Sequence, residues 1–288
     1  MNILENDFLS IAIASKGAEL KSVVDKNNGY EFLWQAEESI WGRTAPLLFP
    51  VVGKPFNSEL IINGKNYAMP QHGFARDMNF EVYSQTKSQL VFRLVSNEET
   101  FAKFPFHFEL QLSYTLVERS IVCGYEVKNT DAKKMYFSIG AHPGFKLPTN
   151  KLDDYIIKFD QPENTERVLL SDGLLNNKQE KVLNTDQVIL LHQSLFDKDA
   201  IVFKHLHSNS LTLASKHTSY AIKMVFEGFP YYGIWCKKGC EAFICLEPWC
   251  GIAGSVGEQL PIEEKEGINL LEPNTIFERK YSITFNSF

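Results

Sequence analysis

The sequence predicts one large antiparallel β-sandwich with little helix, and three observations carry that reading. Apolar and polar residues alternate with period two along most of the chain. Turn signals such as Asn27-Asn28-Gly29, Asn63-Gly64 and Asp172-Gly173 recur at intervals typical of all-β proteins. No helical crossovers separate the apolar runs, which argues against a parallel α/β arrangement.

Taken in order, residues 9–14 and 19–24 open the chain as short strands, and 80–85 and 90–96 follow. Segment 97–104 is the exception: Asn97 precedes Glu98-Glu99-Thr100, the start of a short capped helix. Phe108, Leu110, Leu112, Tyr114 and Leu116 then share one face of a strand. Ile121, Cys123, Tyr125 and Val127 share a face of the next, with Val117-Glu118-Arg119-Ser120 as the hairpin turn. Further strands are expected at 135–141, 155–159 and 200–204. Alternation resumes at Tyr220, Ile222, Met224 and Phe226, then a strand is expected at 241–246. Phe277, Tyr281, Ile283 and Phe285 close the chain, with Arg279 interrupting their face.

No Pro-, Gly- or Ser-rich linker and no internal repeat divides the 288 residues, so 1–288 reads as a single domain. A hydrophobic fraction of 44% in a chain this long is ample for a core without disulfide or metal. Lys and Arg total 29 against 35 Asp and Glu, a net charge of −6, and no dense basic block occurs. Nucleic-acid binding and attachment to anionic membranes are thereby disfavoured. The first ten residues carry Glu5 and Asp7 and lack a basic region, so no secretory signal is expected. No apolar run approaches the ~18 residues of a membrane span, and a cytoplasmic location is expected. Oligomeric state is left open.

Four of the five cysteines, Cys236, Cys240, Cys245 and Cys250, lie close together in sequence. Their spacings do not match a zinc knuckle or ribbon, and Cys245 sits inside the apolar run Ala242-Phe243-Ile244-Cys245-Leu246. Reduced, structural thiols are expected, with no metal and no disulfide.

Four segments break the strand rhythm with polar residues among Gly, Pro and aromatics. They are Trp41-Gly42-Arg43-Thr44-Ala45-Pro46, Gln71-His72-Gly73-Phe74-Ala75-Arg76-Asp77, Gly140-Ala141-His142-Pro143-Gly144-Phe145 and Cys245-Leu246-Glu247-Pro248-Trp249-Cys250-Gly251. His72 and His142 each precede a glycine or Pro-Gly, where a strand ends and the backbone approaches a ligand closely. Both also fit turn histidines bound to backbone carbonyls. His107, His192, His205, His207 and His217 lack such a setting and read as strand or surface positions. Glu247 is expected at a strand end beside the aromatic wall of Trp249, where desolvation raises a carboxyl pKa toward that of a general base. A strand-end Glu turned to water is the other reading of that pattern. Trp249 offers a face on which the C–H surface of a sugar stacks.

These groups form an acid–base set without a nucleophile. There is no Gly-x-Ser-x-Gly elbow and no phosphate-cradling glycine loop. Glycoside hydrolysis requires two carboxylates flanking the bond, which this set does not supply. Proton transfer on a small polar substrate remains.

The stretches His-Gly-Phe-Ala-Arg at 72–76, Ala-His-Pro-Gly-Phe at 141–145 and Leu-Glu-Pro-Trp at 246–249 together resemble the aldose 1-epimerase (galactose mutarotase-like) family, most closely its LacX-type branch. The resemblance runs through essentially the whole chain. It implies a β-supersandwich with a sugar in its groove and no cofactor. It also implies Glu247 as catalytic base, His142 as catalytic acid and His72 as the histidine near the ring oxygen. Arg43 corresponds to the substrate-binding arginine. Asp199, with Asp197 as the alternative, corresponds to the acidic residue that contacts sugar hydroxyls. The chain departs from the family shortly after Glu247-Pro248-Trp249, where related proteins frequently carry an acidic residue and this sequence reads Gly251-Ile252-Ala253-Gly254-Ser255.

Three activities fit this reading. The first is a mutarotase that exchanges the α and β anomers of a hexose. The second is a hexose-6-phosphate mutarotase, in which Arg76, with Arg43 and Lys54, pairs a phosphate; Arg76 equally suits an ion pair with Asp77. The third is a non-catalytic carbohydrate-binding or sensor module that uses the same groove.

Overall fold

Alternation translates directly into strands. The computed structural model describes residues 1–286, and fifteen of its strands join one antiparallel sheet of a large β-sandwich. Phe108–Val117 buries every second side chain and pairs with Ser120–Asn129 through the expected turn, Val117 facing Ser120. Glu118 in that turn has φ 50°. Ser120–Asn129 pairs in turn with the last strand, Ile276–Asn286. The core is filled largely by aromatic rings, Phe32, Phe49, Phe92, Phe108, Phe145 and Tyr155 among them, all fully buried. Each such ring stabilises the fold by about 2–3 kcal/mol through loss of contact with water. Helix is confined to Glu98–Lys103 and short 3-10 turns among the described residues. Asn97 caps it as expected, with Asn97 and Thr100 each accepting from the other's backbone N–H.

The candidate site is positioned by the sheet's other end. There the strand order runs Leu47–Leu48, Ile139–Ala141, Phe243–Cys250, Tyr231–Trp235, Ile201–Lys204, Tyr155–Ser171. Gly144–Lys146 also pairs with Phe243–Cys250.

Three expectations change here. The strand expected at 135–141 breaks at Ser138 into Met135–Phe137, which pairs with Asn269–Leu271, and Ile139–Ala141, which joins the large sheet. The Ser138 N–H turns aside to the Pro50 carbonyl at 2.7 Å. The strand expected at 155–159 continues to Ser171 and folds back as Leu174–Leu190 through Asp172-Gly173. Its middle, 160–166 and 176–187, is largely exposed, so those stretches carry no clean alternation. The strand expected at 241–246 runs instead over Phe243–Cys250, which places Glu247 in mid-strand rather than at an end. Strands Asn2–Glu5, Glu59–Ile62, Lys65–Ala68 and Tyr231–Trp235 were not anticipated. No helix among the described residues is long and apolar enough to cross a membrane.

Candidate active site

Arg43, His72, Arg76, His142, Asp199, Glu247 and Trp249 all line one cavity of about 310 Å³. A larger hollow of about 760 Å³ on the sheet face near Tyr125 and Tyr281 contains none of them. The smaller cavity is the candidate site because it alone of the two holds a buried acid–base pair.

Glu247 is 1% exposed, on a strand paired at both edges; Gly233 lies opposite it on Tyr231–Trp235. Burial pushes its carboxyl well above the usual range, the nearby Asp199 carboxylate adds to this, and the Trp249 indole N–H opposes it. That indole N–H and Glu247 Oε2 are both buried without a well-formed hydrogen bond. Trp249 itself lies across two glycines. A Cβ at Gly140 would fall 2.6 Å from its Cδ1, and one at Gly233 would fall 2.4 Å from its Cζ2.

His142 follows Ile139–Ala141 directly, and its Nε2 stands 3.3 Å from Glu247 Oε2. Its ring stacks on Trp41, with centroids 5.1 Å apart, and meets Trp235 edge-on. Burial drives its pKa down to about 3, with Arg76 and Arg43 acting in the same direction. Burial thus favours the neutral form of each group, a protonated carboxyl beside an uncharged imidazole, with one titratable proton between them. The same proton count describes carboxylate and imidazolium. Sugar hydroxyls that donate to Glu247 favour that second distribution.

His72 has φ 67°, a left-handed conformation set where the chain turns between Gln71 and Gly73. Gly73 is required beside it: a Cβ there would come within 2.2 Å of the Phe49 carbonyl oxygen. The Gly53 N–H donates to His72 Nδ1 at 3.2 Å, which assigns the proton of the neutral ring to Nε2. Burial, then His142, Arg76 and Arg43, keep this ring neutral. The two imidazoles meet edge-on with centroids 5.5 Å apart.

The cations are arranged differently from the expected patch. Arg43 donates from Nη2 to both Asp77 oxygens, at 3.1 and 3.3 Å. Arg76 donates to the Gln71 carbonyl at 2.7 Å, and its Nε, 3.8 Å from Asp77, is buried without a hydrogen bond. Burial lowers the Arg76 pKa to about 10. Lys54 turns away, to Asp172 at 2.5 Å, and does not line the cavity. The expected three-cation patch is thus two guanidiniums sharing one carboxylate. Asp199 rather than Asp197 reaches the cavity, Asp197 being paired with Lys238 at 3.1 Å.

Other lining residues were not singled out from sequence. Trp41 and Gln71 lie inside segments that were, so proximity was the available signal. Trp235 sits on an unanticipated strand, and Leu170 and Leu175 on the unanticipated hairpin. Ile252 and Ala253 form part of the wall.

A metal-type donor set also exists. His142, Cys245 and Glu247 place ligand atoms within 4.8 Å of one another, the one such trio among the described residues. Cys245 is fully buried beneath the pair and does not line the cavity. The sequence cluster of cysteines does not otherwise converge. The Cys236 thiol donates to the Cys240 carbonyl, and all five thiols are free.

Comparison with known proteins fits this geometry. The family model described as aldose 1-epimerase matches residues 2–258. The chromosomal Protein LacX of Lactococcus lactis subsp. lactis is 31% identical over 98% of either chain. A galactose mutarotase related enzyme from Lactobacillus acidophilus superposes with TM-score 0.95 at 35% identity, covering 99% of this chain and 97% of that one. A galactose mutarotase-like protein from Lactobacillus casei gives TM-score 0.93 at 30% identity, covering 99% and 100%.

Proposed function

Because this chain belongs to the aldose 1-epimerase family, we propose that it exchanges the α and β anomers of a free hexose by acid–base ring opening and reclosure. The observation that carries the reading is the buried His142–Glu247 pair, 3.3 Å apart, with a second histidine beside it in the same cavity. Glu247 takes the proton of the anomeric hydroxyl while His142 protonates the ring oxygen. The ring opens, the aldehyde turns about C1–C2, and the two groups exchange roles on closure. Burial suits Glu247 to this task, since a carboxylate denied solvation is a stronger base. The His72 Nε2–H donates toward the ring oxygen, and Trp249 and Trp41 wall the sugar. The proton transfers use side chains of this chain alone. Four of the five free thiols are buried, which suits a reducing compartment such as the cytoplasm.

The test is polarimetry on freshly dissolved α-glucose and α-galactose. The protein accelerates the loss of excess rotation, and Glu247→Gln and His142→Asn each lose about 10²–10⁴-fold of that acceleration. Full activity in either variant removes the role assigned to that residue. Sugar binding without acceleration by the wild type would make the protein a carbohydrate-binding module instead.

One observation favours a second reading. The unbonded Arg76 Nε beside Arg43 is a site for an anion, which suits a hexose 6-phosphate. The free sugar is preferred because Asp77 already serves both arginines and Lys54 is held by Asp172. A kcat/KM for glucose 6-phosphate at least tenfold above that for glucose, lost in Arg76→Gln, would reverse the preference.

A further inference from the structure

Lys265 is an unusual lysine. Its ammonium donates to the Ile252 carbonyl and lies 3.5 Å from the carbonyl oxygens of Ala253 and Glu266. No carboxylate lies within ion-pair distance of it among the described residues; the Glu266 carboxylate is taken by Lys204, at 2.6 and 2.8 Å. Burial lowers its pKa to about 8, opposed by Glu266. Such an ammonium, held by peptide carbonyls alone, orients those peptides.

The peptides in question are a partition. Ile252 and Ala253 line the candidate sugar cavity, whereas Lys265 lines a separate small cavity that shares Ala253 with it. In a trans peptide the C=O and the following N–H point in opposite directions. With the Ile252 carbonyl turned outward to Lys265, the Ala253 N–H is turned to the sugar side. It has no acceptor among the described residues, whereas the next amide, that of Gly254, donates to the Lys54 carbonyl at 2.9 Å. A buried backbone N–H is rarely left without a partner.

We propose that the Ala253 N–H is a specificity-determining donor to one oxygen of the bound sugar, and that Lys265 is the positioning residue that turns it into the cavity. The proposal rests on the reading of this cavity as a sugar site. It makes that edge of the cavity a donor: a peptide N–H needs an oxygen lone pair on the sugar, whereas a carboxylate would accept from a hydroxyl. The hydroxyl it binds keeps its own proton for another acceptor.

Two measurements test this. In the first, the sugar is titrated into ¹⁵N-labelled protein; the Ala253 amide proton moves downfield together with signals around His142 and Glu247. An unmoved Ala253 amide, with the others shifting, overturns the proposal and leaves the sugar site standing. If no signal around the cavity moves, the sugar-site reading falls and takes the proposal with it. In the second, KM is measured for a series of monodeoxy and deoxyfluoro hexoses. At one position the deoxy sugar raises KM about tenfold more than the fluoro sugar, which retains a weak acceptor. Lys265→Met raises KM for the parent sugar about tenfold with kcat within twofold, and erases the difference at that position. Lys265→Arg, which keeps a cation on the carbonyls, restores most of it. Equal KM in Lys265→Met and wild type, or a rise that is the same for every deoxy sugar, overturns the positioning role. Should Lys265→Met fail to fold, the wild-type series and Lys265→Arg still decide the question.

Discussion

Gly233 lies so close beneath the Trp249 indole that a Cβ on it would stand 2.4 Å from Cζ2. Gly140, on the opposite flanking strand, makes the same accommodation at 2.6 Å from Cδ1. The aromatic wall of the cavity is thus seated on two missing side chains. Gly233→Ala is expected to lift the ring and raise KM for the sugar about tenfold, with a smaller effect on kcat. Polarimetric kinetics together with tryptophan fluorescence check it; an unchanged KM with a displaced emission maximum would show that Trp249 is not a sugar wall.

Glu247 is expected to cost the fold stability at the pH where it works. Its folded pKa is raised, so the native state holds a proton that the unfolded chain has released above the ordinary carboxyl range. The resulting stability is present at acid pH and declines as pH rises through that range. Each unit costs up to about 1.4 kcal/mol until the folded pKa is passed. Glu247→Gln removes this dependence. Denaturant melts at pH 4 are expected to coincide for the two proteins, with the variant the more stable at pH 7. Coincidence at both pH values would contradict the raised pKa.

Asp199 sets part of that pKa. Its carboxylate repels charge on Glu247, so Asp199→Asn lowers the Glu247 pKa. The His142–Glu247 pair works with one titratable proton and fails on the alkaline side when that proton is lost, so Asp199→Asn moves the alkaline limb of kcat/KM to lower pH. A second proton enters the pair only at acid pH, the His142 pKa lying near 3. An alkaline limb that stays in place in Asp199→Asn would assign it to another group.

The thiols make a simpler test. Burial pushes Cys123, Cys236 and Cys250 each up to about 12 and holds Cys245 well above the ordinary thiol range, and only Cys240 is partly exposed. A thiolate is the reacting form. Ellman's reagent at pH 8 is expected to titrate no more than one thiol in the native protein, and all five in denaturant. Rapid native reaction of several thiols would show that the strand Phe243–Cys250 opens.

Legibility followed burial. Phe108–Val117 and Ser120–Asn129, each with one face in the core, were visible residue by residue because solvent on one side and core on the other imposes period two. Phe243–Cys250 is buried on every residue, so its pattern gave no end point, and Glu247 was expected at an edge it does not occupy. The hairpin Tyr155–Ser171 with Leu174–Leu190 was read too short for the opposite reason: beyond Phe159 its middle is largely exposed and the alternation lapses. At the site, the residues marked by local Gly, Pro and aromatic context do converge. Their protonation states were not legible: nothing local to His142 in the sequence announces the burial, or the two arginines, that keep its ring neutral. Lys54 shows the limit of charge counting, since its cation is spent on Asp172 across a turn that no local pattern connects to it.

The same hairpin divides the labour of the cavity. Glu247 sits on a strand bonded on both edges, where its shift would break a ladder, whereas Leu170, Gly173 and Leu175 come from the tip of a hairpin arm. Exchanging that arm between relatives is therefore a route to new substrate preference that leaves the proton-transfer geometry in place.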